Sequence, residues 1–191
     1  MIDWSFIHKM EGYSDVGYVP GTNRKSGVTI GYGFDIGQQS LKTFAAMSFP
    51  DALVKKLAPY LGLKGDAARQ FLRLHPLKLS RSEMIDLQKG VEDYYYKLAS
   101  NHFETCSDLT FARLDPRLQT VWCSLYFQYG ELRKRCPKFT YAFSNAMWRT
   151  AYNELLSFGD AYPTRRKQEA KLIQNYILER EKQDGKNFRR P

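Results

Sequence analysis

The sequence predicts an α+β protein, mainly α, with a small β lobe and a larger helical lobe in a single domain. Three observations carry this. Extended-type residues with turn chemistry are confined to about residues 13–35, where Val28-Thr29-Ile30 is bounded by Gly27 and Gly31. From Gly37 onward the apolar residues recur at spacings of three and four, punctuated by helix start and stop signals. The chain has 191 residues, 43% of them hydrophobic and 26% charged, which is globular composition and enough for one domain with a real core. The expected boundaries are 12–37 for the β lobe, 1–11 with 38–183 for the helical lobe, and a loose polar tail at 184–191.

Each element has its own warrant. Ile2, Phe6, Ile7 and Met10 recur at helical spacing, Asp3 can cap the start and Gly12 can stop the helix, so a first helix is expected over about 3–11. Pro20-Gly21 and Asn23 supply turns within the β segment. Leu41, Phe44 and Ala45 give the next helix, and Asp51 can cap another through Leu57. Gly65-Asp66 opens a helix that stops before His75-Pro76. Ser80-Arg81-Ser82-Glu83 is a capping box for a long helix to about His102. Asp115-Pro116 is an N-cap followed by proline at the first helical position. The helix it opens carries Leu118, Val121, Trp122, Leu125 and Tyr126, ends at Gly130, and is the expected central core helix. One or two helices follow from Phe139 to Phe158, and a last one from about Thr164 to Gln183.

Two features point to chemistry. Glu11 falls where the first helix should end. A carboxylate in a last helical turn faces the negative end of the helix dipole, the setting that favours the acid form a proton donor needs. A solvated Glu before Gly is also a common helix end. The second feature is Gly31 and Gly33 alternating with Tyr32 and Phe34. On a regular strand Thr29, Gly31, Gly33 and Asp35 would share one face almost bare of side chains, open to close approach by a ligand. Glycines used only for twist in a bulged hairpin would read the same way.

Glu11-Gly12 followed by Thr29-Ile30-Gly31-Tyr32-Gly33 resembles the catalytic segment of phage-type lysozymes. The longer run from Ser26 to Gln38 is more similar to the pesticin branch of that superfamily, which holds a bacteriocin and muramidase domains of secretion effectors. Leu125-Tyr126-Phe127-Gln128-Tyr129-Gly130 resembles the Phe-Gln-x-Gly that ends the central helix there. Tyr162-Pro163-Thr164-Arg165-Arg166-Lys167 resembles the Pro-Thr-Arg-Arg that opens a late helix. The resemblance spans about residues 2–175 and implies a lysozyme-like two-lobed fold with a cleft between the lobes.

It also implies a peptidoglycan hydrolase, a muramidase cleaving the β-1,4 bond between N-acetylmuramic acid and N-acetylglucosamine. Glu11 would be the general acid. Phage enzymes carry an Asp between the Glu and the Thr, but Tyr18-Val19-Pro20-Gly21-Thr22-Asn23 holds no acid here. Pesticin-like enzymes use the Asp of a Gly-Phe-Asp segment, which is Asp35, with Asp15 as the alternative. Thr29 would hold the attacking water, and Gly31 and Tyr32 would bind substrate. Gln128 would line the cleft or stabilise its helix end, and Arg165 would sit near Glu11 and hold its orientation. Six residues of straight strand would hold Thr29 and Asp35 about 20 Å apart, so the glycines must bend the chain or the two groups serve different parts of the sugar. A wall-binding or inhibitory module without turnover, and a lytic transglycosylase, are the alternatives.

The remaining composition narrows the partners. The net charge of +9 favours an anionic partner such as the cell wall. Basic clusters at Arg133-Lys134-Arg135, Arg165-Arg166-Lys167 and Arg189-Arg190 read as solvated helix ends, and no nucleic-acid-binding motif accompanies them. Cys106, Cys123 and Cys136 are odd in number and without Cys-x-x-Cys spacing, which suits buried small hydrophobes better than a metal or a disulfide framework. A cysteine peptidase would need a Cys paired in space with a His, and Cys106 with His102 is the conceivable pair. No His-Glu-x-x-His occurs, and neither a metal nor a cofactor is expected. No signal-peptide pattern or membrane-length apolar stretch is visible. The expected protein is a monomer made in a bacterial or phage-infected cytoplasm, delivered to the wall by a secretion or translocation partner, with an immunity protein among its candidate partners.

Overall fold

The computed structural model describes residues 1–21 and 25–187. The turn expected at Asn23 and the basic pair Arg189-Arg190 lie outside them. The chain divides into two compact units, one of Met1–Ile7 with Tyr95–Pro191 and one of His8–Tyr94. In this division the β segment shares its unit with several helices.

In the His8–Tyr94 unit three short strands, β1 (Ser14–Tyr18), β2 (Thr29–Gly31) and β3 (Phe34–Asp35), form an antiparallel sheet in sequence order. The β1–β2 register pairs Ser14 with Gly31 and Tyr18 with Thr29, so β1 carries extra residues between them and bulges. The other edge of β1 is covered: Gly17 N–H donates to Leu77 O at 2.8 Å and Leu79 N–H donates to Asp15 O at 3.0 Å. That closes an edge otherwise open to foreign strands. Val28, Ile30, Phe34 and Ile36 are buried, and the Phe34, Phe44 and Phe49 rings pack within 5.4–6.4 Å of one another. A hairpin this small cannot stand alone in water, and this apolar face is why it is bound up with helices.

Those helices are α2 (Leu41–Met47), α3 (Asp51–Leu57), α4 (Gly65–Leu74) and the first part of α5 (Arg81–Glu104). Local chemistry sets their starts. Ser40 Oγ accepts the Thr43 N–H. At α5 the capping box forms reciprocally: Ser80 N–H donates to Glu83 Oε2 at 2.7 Å and Glu83 N–H to Ser80 Oγ at 3.3 Å. Asp51 is the first residue of α3 rather than its cap, a position filled by Pro50.

The other unit is helical: α6 (Pro116–Tyr129), α7 (Leu132–Arg135), α8 (Pro137–Ser144), α9 (Trp148–Leu156) and α10 (Pro163–Asn187), with the end of α5 and the start of α1 (Trp4–His8). Every residue from Leu118 to Leu125 is buried, so α6 is the core helix the sequence called for. Asp115 caps it by accepting the Arg117 N–H, and Gly130 closes it. Trp122 Nε1–H donates to Ala99 O at 2.8 Å, which satisfies the one polar atom of the largest buried ring. Cys123 and Cys136 are buried free thiols, and burial pushes Cys136 up to about 11. Neither is poised as a nucleophile. The α10 helix runs to Asn187, past the expected start of the loose tail.

Candidate active site

The site is assembled within the His8–Tyr94 unit. The first helix is shorter than expected, closing at His8 rather than residue 11. Its cap is the expected one, since Asp3 Oδ1 accepts the Phe6 N–H at 3.0 Å. Beyond His8 the chain makes a tight turn, in which Glu11 N–H donates to His8 O at 3.1 Å, and then reverses through Gly12 at φ +72°. Glu11 therefore lies past the helix on that turn, whereas the helix dipole acts within the last helical turn.

The turn brings Glu11 against the β2–β3 hairpin. A Cβ placed on Gly33 would lie 3.6 Å from Glu11 Oε2 and 3.8 Å from Glu11 Cβ, so the carboxylate passes beside the hairpin tip. Gly31 and Gly33 both have positive φ, +65° and +78°, a conformation that costs other L-residues about 1–2 kcal/mol. These two residues reverse the chain. The regular strand expected from 29 to 35 does not exist.

The reversal answers the separation of Thr29 and Asp35. They are directly paired across β2 and β3. Paired residues have Cα atoms about 4.5–5.5 Å apart and side chains on one face, in place of the ~20 Å of a straight strand. Both groups are held from behind. Thr29 is only 3% exposed, and its Oγ1–H donates to Gly27 O at 3.4 Å. Asp35 is half-buried, and both its carboxylate oxygens accept the Gly27 N–H at 3.1 Å. Asp15 sits on β1, partly buried, with its carbonyl bonded to Leu79. Tyr32, at the hairpin tip, stacks on His8 with centroids 4.0 Å apart and planes at 5°, and Tyr13 leans against it at 5.1 Å.

Gln128 and Arg165 belong to the other unit, where they share one buried charge cluster. Arg165 Nη2–H donates to Ser124 O and Oγ at 3.1 Å, and its Nε–H donates to Glu169 Oε1 at 3.3 Å. Arg166, 1% exposed, donates to Glu169 and to Gln128 Oε1, and its guanidinium lies 5.0 Å from the Phe158 ring centroid and 5.5 Å from that of Tyr129. Its Nε is 3.1 Å from Asp160 Oδ2 without hydrogen-bond geometry. Burial raises the pKa of Glu169, while Arg166, Ser124 and Arg165 draw it down. Gln128 thus ties the end of α6 to α10. Sequence reading missed Glu169. Its only signal was an acid three and four residues after two arginines, the spacing of neighbours on a helix.

The family described as "Pesticin: Bacterial toxin homologue of phage lysozyme, C-term" matches residues 1–149. The chain belongs to this family. No individual curated protein matches beside it. The pesticin match takes in Glu11, Thr29, Gly31, Tyr32, Asp35 and Gln128 and ends before Arg165. The mainly helical fold with its small antiparallel sheet agrees with this lysozyme-related family. Among the described residues no helix is long and apolar enough to cross a membrane.

Proposed function

We propose that the protein is a muramidase that hydrolyses the β-1,4 bond between N-acetylmuramic acid and N-acetylglucosamine. The observation that carries this reading is the Glu11 carboxylate beside the tip of a hairpin that pairs Thr29 with Asp35, in a chain of the pesticin family. Glycoside hydrolysis takes an acid that protonates the leaving oxygen and a second group that activates water or stabilises the oxocarbenium-like transition state. Glu11 is the proton donor. Thr29 and Asp35, fixed on one face, place the water or the developing positive charge, and Gly31 and Tyr32 receive the sugar. The substrate is peptidoglycan, reached in the cell wall after delivery, and an immunity protein is the natural partner of a toxin that attacks its producer's own wall.

The engagement of Asp35 with Gly27 favours one second reading, a lytic transglycosylase, in which no carboxylate need activate water. Mass spectrometry of digested peptidoglycan separates the two, since reducing-end muramic acid marks hydrolysis and anhydro-muramic ends mark transglycosylation. Glu11→Gln tests both. It should fold normally and lose activity 10²–10⁴-fold, the usual worth of general acid catalysis. A folded Gln variant keeping more than about a tenth of the activity would refute the assignment.

A further inference from the structure

The residue that joins the turn carrying Glu11 to the hairpin is His8, and no catalytic role accounts for it. Its carbonyl accepts the Glu11 N–H at 3.1 Å. Its ring lies flat on Tyr32, the residue between the two glycines that reverse the hairpin. Its Nε2 is 3.3 Å from Glu92 Oε1 on α5, and the same oxygen accepts Gln88 Nε2–H at 2.8 Å. One side chain and its own carbonyl therefore touch three separate elements: the Glu11 turn, the hairpin tip and α5. Its side chain is 12% exposed and that of Glu92 19%.

The geometry points to His8 as a positioning residue: oriented by Glu92, it stacks on Tyr32 and thereby sets the distance between Glu11 and the hairpin that carries Thr29 and Asp35. The chemistry suits the task. Burial lowers the His8 imidazole and raises the Glu92 carboxyl, so both lean towards their neutral forms. A neutral imidazole loses less hydration on lying face to face with a tyrosine than an imidazolium would. The Glu11 turn is a single reversal with a glycine at its end, set between a five-residue helix and a five-residue strand. A displacement of about 1 Å there is enough to lower a reaction rate severely. A histidine that only filled the core would not need its ring and its nitrogen each directed at a different element.

The inference rests on the muramidase reading, and its test carries one arm that does not. His8→Gln keeps a side-chain N–H but removes the stack, whereas His8→Phe keeps the stack and removes the nitrogen. On solubilised peptidoglycan fragments, turnover of folded His8→Gln should fall about tenfold or more with KM within about twofold, and His8→Phe should recover most of it. In parallel, amide hydrogen exchange at Glu11 and at residues 31–34 should speed up together in His8→Gln, by about tenfold, and remain near wild type in His8→Phe. Normal turnover per folded molecule in His8→Gln, or exchange that changes at Glu11 but not at the hairpin tip, would overturn the inference. If the wild-type protein releases no muropeptides while the two segments still loosen together, the activity reading fails and the positioning role stands.

Discussion

Gly27→Ala should unfold the site from within. Gly27 carries no positive φ, so its backbone would accept alanine and the objection is purely spatial. A Cβ there would meet Gly37 Cα at 2.5 Å, Leu63 O at 2.6 Å and Asp35 Oδ1 at 2.7 Å. Ordinary carbon contacts are about 3.5–4.0 Å, so each neighbour must retreat by about 1 Å. Two of the three are backbone atoms and cannot rotate away. Overpacking of this kind costs about 1–3 kcal/mol or more. The single Gly27 N–H, shared between both Asp35 carboxylate oxygens, would also lose its bond, and a hydrogen bond to a charged group is worth about 1.5–3 kcal/mol. The expected sum is about 2.5–6 kcal/mol, or a melting point lower by roughly 5–24 °C for a chain of this size. Urea denaturation measures it, with Gly62→Ala as the control. Gly62 has φ +73° and nothing within 4 Å of its Cβ position, so only a backbone cost of about 1–2 kcal/mol applies. A Gly27→Ala variant more stable than Gly62→Ala would refute the reasoning. At a temperature where both are folded, turnover should fall in Gly27→Ala alone, because Asp35 has moved.

Asp35→Asn should damage catalysis far more than Asp15→Asn, since only Asp35 is paired with Thr29, and rates for the two folded variants decide it. A dead Asp15 variant beside a nearly normal Asp35 variant reverses the assignment. Glu83→Gln tests the electrostatics of α5. Lys56 and the Ser80 N–H hold the Glu83 carboxyl at about 2, against 4.5 in the unfolded chain. A depressed acid stabilises the fold above its unfolded pKa, and that contribution fades as pH falls from about 4.5 towards 2. Part of this pair is exposed to water, which reduces its worth to about 1 kcal/mol. Wild type should exceed Glu83→Gln by that amount at pH 6 in urea midpoints and lose the advantage near pH 2. A difference that does not vary with pH would show that the carboxylate charge contributes nothing.

The sequence by itself determined the helices. Ser80 with Glu83, Asp115 with Pro116, and Gly130 are hydrogen-bond and backbone preferences that act over three or four residues, so they could be placed without knowing what surrounds them. It also marked Glu11, the two glycines and Asp35 through their order along the chain. The first helix closes at His8 and residues 9–11 form a turn, although the periodicity of Ile2, Phe6, Ile7 and Met10 runs on through them. Only the tertiary structure put Thr29 opposite Asp35, since strand alternation assumes a straight chain and two positive φ values end it at the hairpin tip. Only the tertiary structure laid His8 on Tyr32 and buried Glu169 between two arginines. Contacts of that kind join residues far apart in sequence, or on elements whose facing sides are not fixed until they pack. No local spacing encodes which partner a buried imidazole or carboxylate will find.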